Sequence, residues 1–165
     1  GIYYFADGEN LRSELQYLLD NNIRDKGEYQ LTNALENMKQ KGKKFKTGEV
    51  TEWLDCGNKD ATVYTNQRVL THLSEKELAS DFKNENSVVV APCFIGKNVS
   101  LKNSTVGPYV SIGENTVIEN SVITNSIIQT NTKIADRKLT NSMVGNFVTI
   151  NGTGEELSVG DYNSL

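Results

Sequence analysis

Two carboxylates stand where an apolar or glycine-containing run turns into a helix, and each could do chemistry. Asp55 lies in Trp53-Leu54-Asp55-Cys56-Gly57-Asn58-Lys59, at the end of a strand-like run and before a glycine turn. Ligands of α/β sheets gather at the carboxyl ends of strands. A carboxylate there can hold Mg²⁺ against a substrate phosphate, because Mg²⁺ prefers hard oxygens and keeps several waters. Asp55 could equally cap the helix that begins at Lys59, and spacing leaves both readings open. Glu28 lies in Lys26-Gly27-Glu28-Tyr29-Gln30-Leu31-Thr32-Asn33, after a glycine and ahead of a helix. It can accept two sugar hydroxyls, or favour the positive helix N-terminus; from spacing alone the helix-end role is the simpler one.

Other reactive side chains carry less. His72 is the single histidine, and it falls on a helix rather than in the repeat described below. That weakens an acyltransferase reading, in which a histidine in or near the repeat would be the general base. Cys56 and Cys93 are far apart, and with one histidine they cannot supply zinc-ligand spacing. Two thiols without a framework suit a reducing cytosol, so a cytoplasmic protein is expected. Cys56 reads as a small residue filling a turn. Trp53 and the tyrosines of the first half have no stacking-platform spacing, so core packing is their default role.

The elements that must position these groups follow from periodicity. Tyr3 to Phe5 reads as a buried strand. Leu11, Leu15, Leu18 and Leu19 mark a helix over about 9–19, with Asp7-Gly8 supplying the turn and cap. Leu31, Ala34, Leu35 and Met38 mark a second helix over about 30–41, ended by Gly42. Residues 44–54 read as one or two strands. A third helix covers about 59–73, with Asn58 as a candidate cap. Alternating strands and helices predict part of an α/β layer. Residues 74–86 are charged and read as a helix end and a linker.

From Val88 the composition shifts to Val, Ile, Asn, Ser, Thr and Gly. Aliphatic residues then recur every five or six positions: Val89, Ile95, Leu101, Val106, Ile112, Ile118, Ile123, Ile128, Ile134, Leu139, Val144 and Ile150. Neither a helix nor an ordinary sheet has that period, whereas a stacked solenoid does. Small or aliphatic residues four places on (Val99, Thr105, Val110, Thr116, Val122, Ile127, Thr132, Met143 and Val148) are expected as second inward positions of a three-sided prism. Shortened steps carry Asn-Ser at Asn103, Asn120, Asn125 and Asn141, where a tight corner needs a left-handed backbone. Three beats per coil give about three to four coils. Residues 153–165 read as a final strand or a frayed tail.

GIYYF, KGEYQLTNAL and WLDCGNK, in this order and followed by the repeat, resemble the second half of the bacterial sugar-1-phosphate nucleotidyltransferases. The resemblance covers nearly the whole chain. It implies a Rossmann-like α/β segment of the catalytic domain over 1–82, followed by a left-handed parallel β-helix over 83–165 with hexapeptide repeats at about 89–150. It further implies nucleotidyl transfer: a hexose 1-phosphate of glucose or mannose type attacks a nucleoside triphosphate, yielding a nucleoside-diphosphate sugar and pyrophosphate. By the same resemblance Asp55 is a Mg²⁺ ligand, Glu28 contacts the sugar and Tyr3 lies near it. The family's Gly-rich nucleotide-binding loop, first metal-binding Asp and sugar-phosphate Lys have no counterpart among these 165 residues. The chain is therefore expected to be a fragment or one of two polypeptides, and inactive alone.

The net charge is −4, without a Lys/Arg stripe, which argues against nucleic acid as a partner. Lys39, Lys41, Lys43, Lys44 and Lys46 read as a solvated turn rather than a phosphate site. No apolar stretch approaches ~18 residues, so no membrane span is expected, and no signal peptide is recognised. A second function class is structural: the prism could serve as an oligomerisation or regulatory module. Val90, Phe94, Val117, Ile128 and Phe147 are candidates for a self-association face.

Overall fold

A computed structural model of the chain describes residues 2–73, 81–154 and 156–165. They form two compact units, Gly1–Thr51 and Glu52–Leu165.

The first unit is a helical pair. Helix α1 spans Gly8–Asp20, and Asp7 caps it by accepting the Asn10 N–H at 3.0 Å. Helix α2 spans Leu31–Gln40 and ends before Gly42, whose φ of +86° suits a residue without Cβ. The buried line of α1 is Glu14 and Leu18, facing Ala34 and Met38 of α2. Leu15 and Leu19, expected on that line, lie to one side of it and are exposed. Glu14 is tolerated inside because Lys41 Nζ donates to both carboxylate oxygens, at 2.7 and 2.9 Å.

The strands expected at Tyr3 to Phe5 and over 44–54 are absent among the described residues. Ile2 and Tyr4 are 86% and 92% exposed, and Tyr3 to Phe5 forms no strand. Residues 44–50 and 52–54 likewise form no ladder. The alternation of these segments suits a sheet, but a strand exists only where a neighbour takes up its N–H and C=O groups. No described segment does so.

The second unit opens with α3, Lys59–His72, capped by Asn58, whose side chain accepts the Ala61 N–H at 2.9 Å. A parallel β-solenoid of about five turns follows. Its first coil holds β1 (Lys83–Glu85), β2 (Val88–Val89) and β3 (Cys93–Ile95). The second holds β4 (Ser100–Lys102), β5 (Thr105–Val106) and β6 (Val110–Ile112). The third holds β7 (Val117–Glu119), β8 (Val122–Thr124) and β9 (Ser126–Ile128). The fourth holds β10 (Lys133–Ala135), β11 (Lys138–Thr140) and β12 (Met143–Val144). The fifth contributes β13 (Thr149–Asn151) and β14 (Ser158–Val159). Each face takes one strand from each of the first four coils. The orders are β1-β4-β7-β10-β13, β2-β5-β8-β11 and β3-β6-β9-β12-β14. The stack is deeper than three to four coils. Lys83–Glu85, expected in a linker, is its first strand, and Ser158–Val159 is its last. Residues 74–80 of that expected linker lie outside the described residues.

The aliphatic beats are its core. From Ile95 to Ile150 each is at most 1% exposed, and Val89 packs at the rim. Register puts like on like: Leu101, Ile118, Ile134 and Ile150 stack along one face. The second inward position is as expected on the longer sides, where Val99, Val110, Thr116, Thr132 and Val148 are buried. On the short sides it is not. Thr105, Val122, Ile127 and Met143 point outward, and Ser104, Ser121, Ser126 and Ser142, one place earlier, are buried. Side chains alternate along a strand, so the residue two before a beat shares its face. A five-residue step therefore moves the inward position to the serine.

Those serines link the coils. Ser104 Oγ donates to the Lys102 carbonyl at 2.7 Å and accepts the Ser121 N–H at 3.1 Å. Ser121 Oγ donates to the Glu119 carbonyl at 2.6 Å and accepts the Arg137 N–H at 3.1 Å. Ser126 and Ser142 repeat the pattern on the next face. Asparagines turn the corners, with φ from 42° at Asn125 to 58° at Asn115. Their side chains bond from coil to coil, as in Asn98–Asn115–Asn131 at 3.0 and 3.2 Å.

Candidate functional site

Asp55 belongs to the second unit and sits on a turn built by α3. Thr65 Oγ1 donates to the Asp55 carbonyl at 2.7 Å, and Arg68 Nε donates to Glu52 at 2.6 Å. Both strap the segment before the turn to the helix that follows it. The carboxylate itself is exposed. Its Oδ1 accepts the Cys56 N–H at 2.8 Å, and among the described residues nothing bonds to Oδ2. Asp55 does not cap α3, since Asn58 fills that role. The turn leaves the carboxylate close cover but no wall: a Cβ on Gly57 would lie 3.3 Å from Oδ2.

These features fit a Mg²⁺ held by one protein oxygen, with water and substrate phosphate completing the shell. They do not fit an all-protein metal cage. Among the described residues no cluster of three His, Cys, Asp or Glu side chains could hold an ion.

Glu28 and Tyr3 belong to the first unit and are exposed. Glu28 closes a tight turn, exchanging backbone hydrogen bonds with Asp25 at 2.9 and 3.0 Å. Its carboxylate accepts from Gln30 Nε2 at 3.2 Å. Gln30 is the N-cap residue of α2 and makes no side-chain cap bond. Beside this turn, Arg24 lies 4.6 Å from the Tyr29 ring centroid and donates to its hydroxyl at 3.2 Å. Tyr3 stacks loosely on Phe5, with centroids 6.3 Å apart. A groove of about 580 Å³ runs beside it, lined by Tyr4, Phe5, Met38, Lys43, Phe45 and Lys46. Neither Tyr3 nor Glu28 lines that groove.

Neither a family model, nor a curated protein, nor a solved structure matches the chain.

The strongest polar cluster joins α3 to the solenoid, and sequence spacing gave no sign of it. Lys59 bonds Glu156, and it lies 3.1 Å from Asp60. Asn141 Nδ2 donates to Asp60 at 3.0 Å and to Glu156 at 3.1 Å. The bond to Glu156 raises the Lys59 pKa, and the bond from Lys59 lowers that of Glu156. The Asn141 amide, then Lys59, lowers that of Asp60. Lys59 stands in the Asp55 motif, but Glu156 is 97 residues away, with no local signal to pair them.

The remaining candidates are placed as follows. His72 lies in the last turn of α3, 4.0 Å from Glu52. Cys56 is exposed; Cys93 is buried, which pushes its thiol pKa up. Ile128, expected on an outer face, is 1% exposed and belongs to the core. Phe94 on β3 and Val117 on β7 fall on different faces of the solenoid. No described helix is long and apolar enough to cross a membrane.

Proposed function

We propose that this chain is the sugar- and metal-binding part of a Mg²⁺-dependent sugar-1-phosphate nucleotidyltransferase. It would act on a hexose 1-phosphate of glucose or mannose type. One observation carries the reading: the three motifs GIYYF, KGEYQLTNAL and WLDCGNK occur in order ahead of a parallel β-solenoid. In this reading the first segment belongs to a Rossmann-like sheet and the solenoid is left-handed.

Each residue has a defined task. Asp55 presents its unbonded Oδ2 to Mg²⁺, beside a turn whose backbone is fixed by Thr65. Glu28 accepts two sugar hydroxyls, and Tyr3 borders the sugar. The metal, when bound, neutralises phosphate charge in the displacement; these side chains hold and orient what reacts. The nucleotide-binding loop has no counterpart among these residues, so the 165-residue chain is expected to release no pyrophosphate.

The test uses the complete reading frame that encodes these residues. It is assayed for pyrophosphate release from each nucleoside triphosphate, paired with glucose 1-phosphate or mannose 1-phosphate. Mg²⁺-dependent turnover with one pairing, abolished by Asp55→Ala, is the expected result. Absence of turnover with every pairing, or a near-normal rate in Asp55→Ala, overturns the assignment.

A further inference from the structure

We propose that the third face of the solenoid is the mount that positions Asp55, acting through α3, with Lys59, Asn141 and Glu156 as positioning residues. The metal role of Asp55 rests on the function proposed above; the mechanical link does not.

The contacts form a continuous path. The turn carrying Asp55 is tied to α3 by Thr65, by Arg68 on Glu52, and by the Asn58 cap. Helix α3 packs on β6 and β9. Asn66 accepts from Ser111 Oγ at 2.6 Å in the second coil. Asp60 accepts from Asn141 at the corner before β12 in the fourth coil, and Lys59 bonds Glu156 in the fifth.

The spacings agree. Six residues of helix from Asp60 to Asn66 rise ~9 Å at ~1.5 Å each. Two coil separations of ~4.8 Å span ~9.6 Å. Helix α3 therefore runs along the stacking axis and reads several coils at once, so an isolated strand could not hold it this way. The N-terminal end of α3, four residues beyond Asp55, is the end held by the charged cluster. Loosening that cluster frees the first turn of α3 and, with it, the Asp55 turn.

The experiment compares Glu156→Gln with the exposed outer-face control Glu119→Gln, using amide hydrogen exchange on the 165-residue chain. Glu156→Gln should speed exchange at Cys56, Ala61 and Thr62, whose N–H groups are bonded across the Asp55 turn and the first turn of α3, by about twofold to fivefold, the effect expected of a partly exposed ion pair. The control should leave these amides unchanged. The charge exchange Lys59→Glu with Glu156→Lys should restore protection. In the complete enzyme, Glu156→Gln should raise the Mg²⁺ concentration for half-maximal rate while kcat at saturating Mg²⁺ holds.

Unchanged exchange at Cys56, Ala61 and Thr62 in Glu156→Gln overturns the positioning role. So does equal acceleration in the Glu119→Gln control. If exchange responds as expected but Asp55→Ala leaves turnover intact, the mount stands and the metal assignment of Asp55 is what fails.

Discussion

Replacing Ser121 by alanine should cost more stability than replacing its neighbour Val122, although the valine loses more apolar volume. Ser121 is 2% exposed, and its hydroxyl is the acceptor for the Arg137 N–H. The Glu119 carbonyl, to which Ser121 also donates, keeps a second partner in the Asp136 N–H at 3.1 Å. Alanine therefore orphans one part-buried donor, the Arg137 N–H, at a cost of about 1–3 kcal/mol. Val122 is 43% exposed and points outward. Removing two carbons, at ~0.8 kcal/mol each when fully buried and scaled by the buried fraction, costs about 0.9 kcal/mol. The chain has two compact units, so a global unfolding signal would mix them. Native-state hydrogen exchange, read at solenoid amides in urea, isolates the relevant transition. Ser121→Ala should lower protection throughout the solenoid and accelerate the Arg137 amide most. A smaller loss in Ser121→Ala than in Val122→Ala would refute the inward-serine geometry. An Arg137 amide as protected as in the parent would do the same.

The close stacking of the coils and the Lys59 cluster each lead to a further expected outcome. Gly113→Ala would place a Cβ 2.7 Å from the Thr130 nitrogen and 2.8 Å from the Gln129 carbonyl carbon, both backbone atoms of the next coil. Overpacking against rigid atoms should cost about 1–3 kcal/mol, seen as weakened exchange protection around 112–114 and 129–131; parent-like protection would show that the coils have slack. The cluster at Lys59 should also depend on pH. Glu156 and Asp60 have pKa values lowered in the folded chain, so their stabilisation is complete above the unfolded carboxylate range near ~4 and is lost as pH falls through the lowered values. Lys59 is raised, so its share persists below ~10.4 and is lost only as pH rises through the higher folded value. The Asn141 side-chain amide resonance should therefore stay flat from about pH 5 to 10 and move below ~4; a midpoint near neutrality would contradict the assignment.

The solenoid was legible because its determinant is local and repeated. An aliphatic beat every five or six residues has one way to bury itself, and asparagines at the corners report the left-handed turns directly. What the beat does not carry is the phase of the second inward position. Ser121 and Val122 are adjacent, and hydrophobicity favours the valine as the buried one. The structure buries the serine because shortening the side by one residue shifts parity, and a hydroxyl can bridge backbone groups of successive coils where a methyl cannot. Apolarity is thus a poor guide to the inside of a narrow prism, whose interior runs beside backbone polar groups that need partners.

The first half was legible only as far as its helices. Capping by Asp7 and Asn58 is a contact over three residues, so the pattern and the structure coincide there. The apolar residues of Ile2–Phe5 and 44–50 encode a willingness to pair without encoding a partner, and no described strand meets them. The same distinction bears on Asp55. Its motif fixes a turn and a helix start, which are local. Where that turn stands depends on Ser111, Asn141 and Glu156, residues whose types look ordinary in sequence. A solenoid without a histidine, and without a ligand cluster of its own among the described residues, would look like inert ballast behind a site. Because α3 rests on its third face and carries the Asp55 turn, the solenoid is better understood as the frame against which the carboxylate is held.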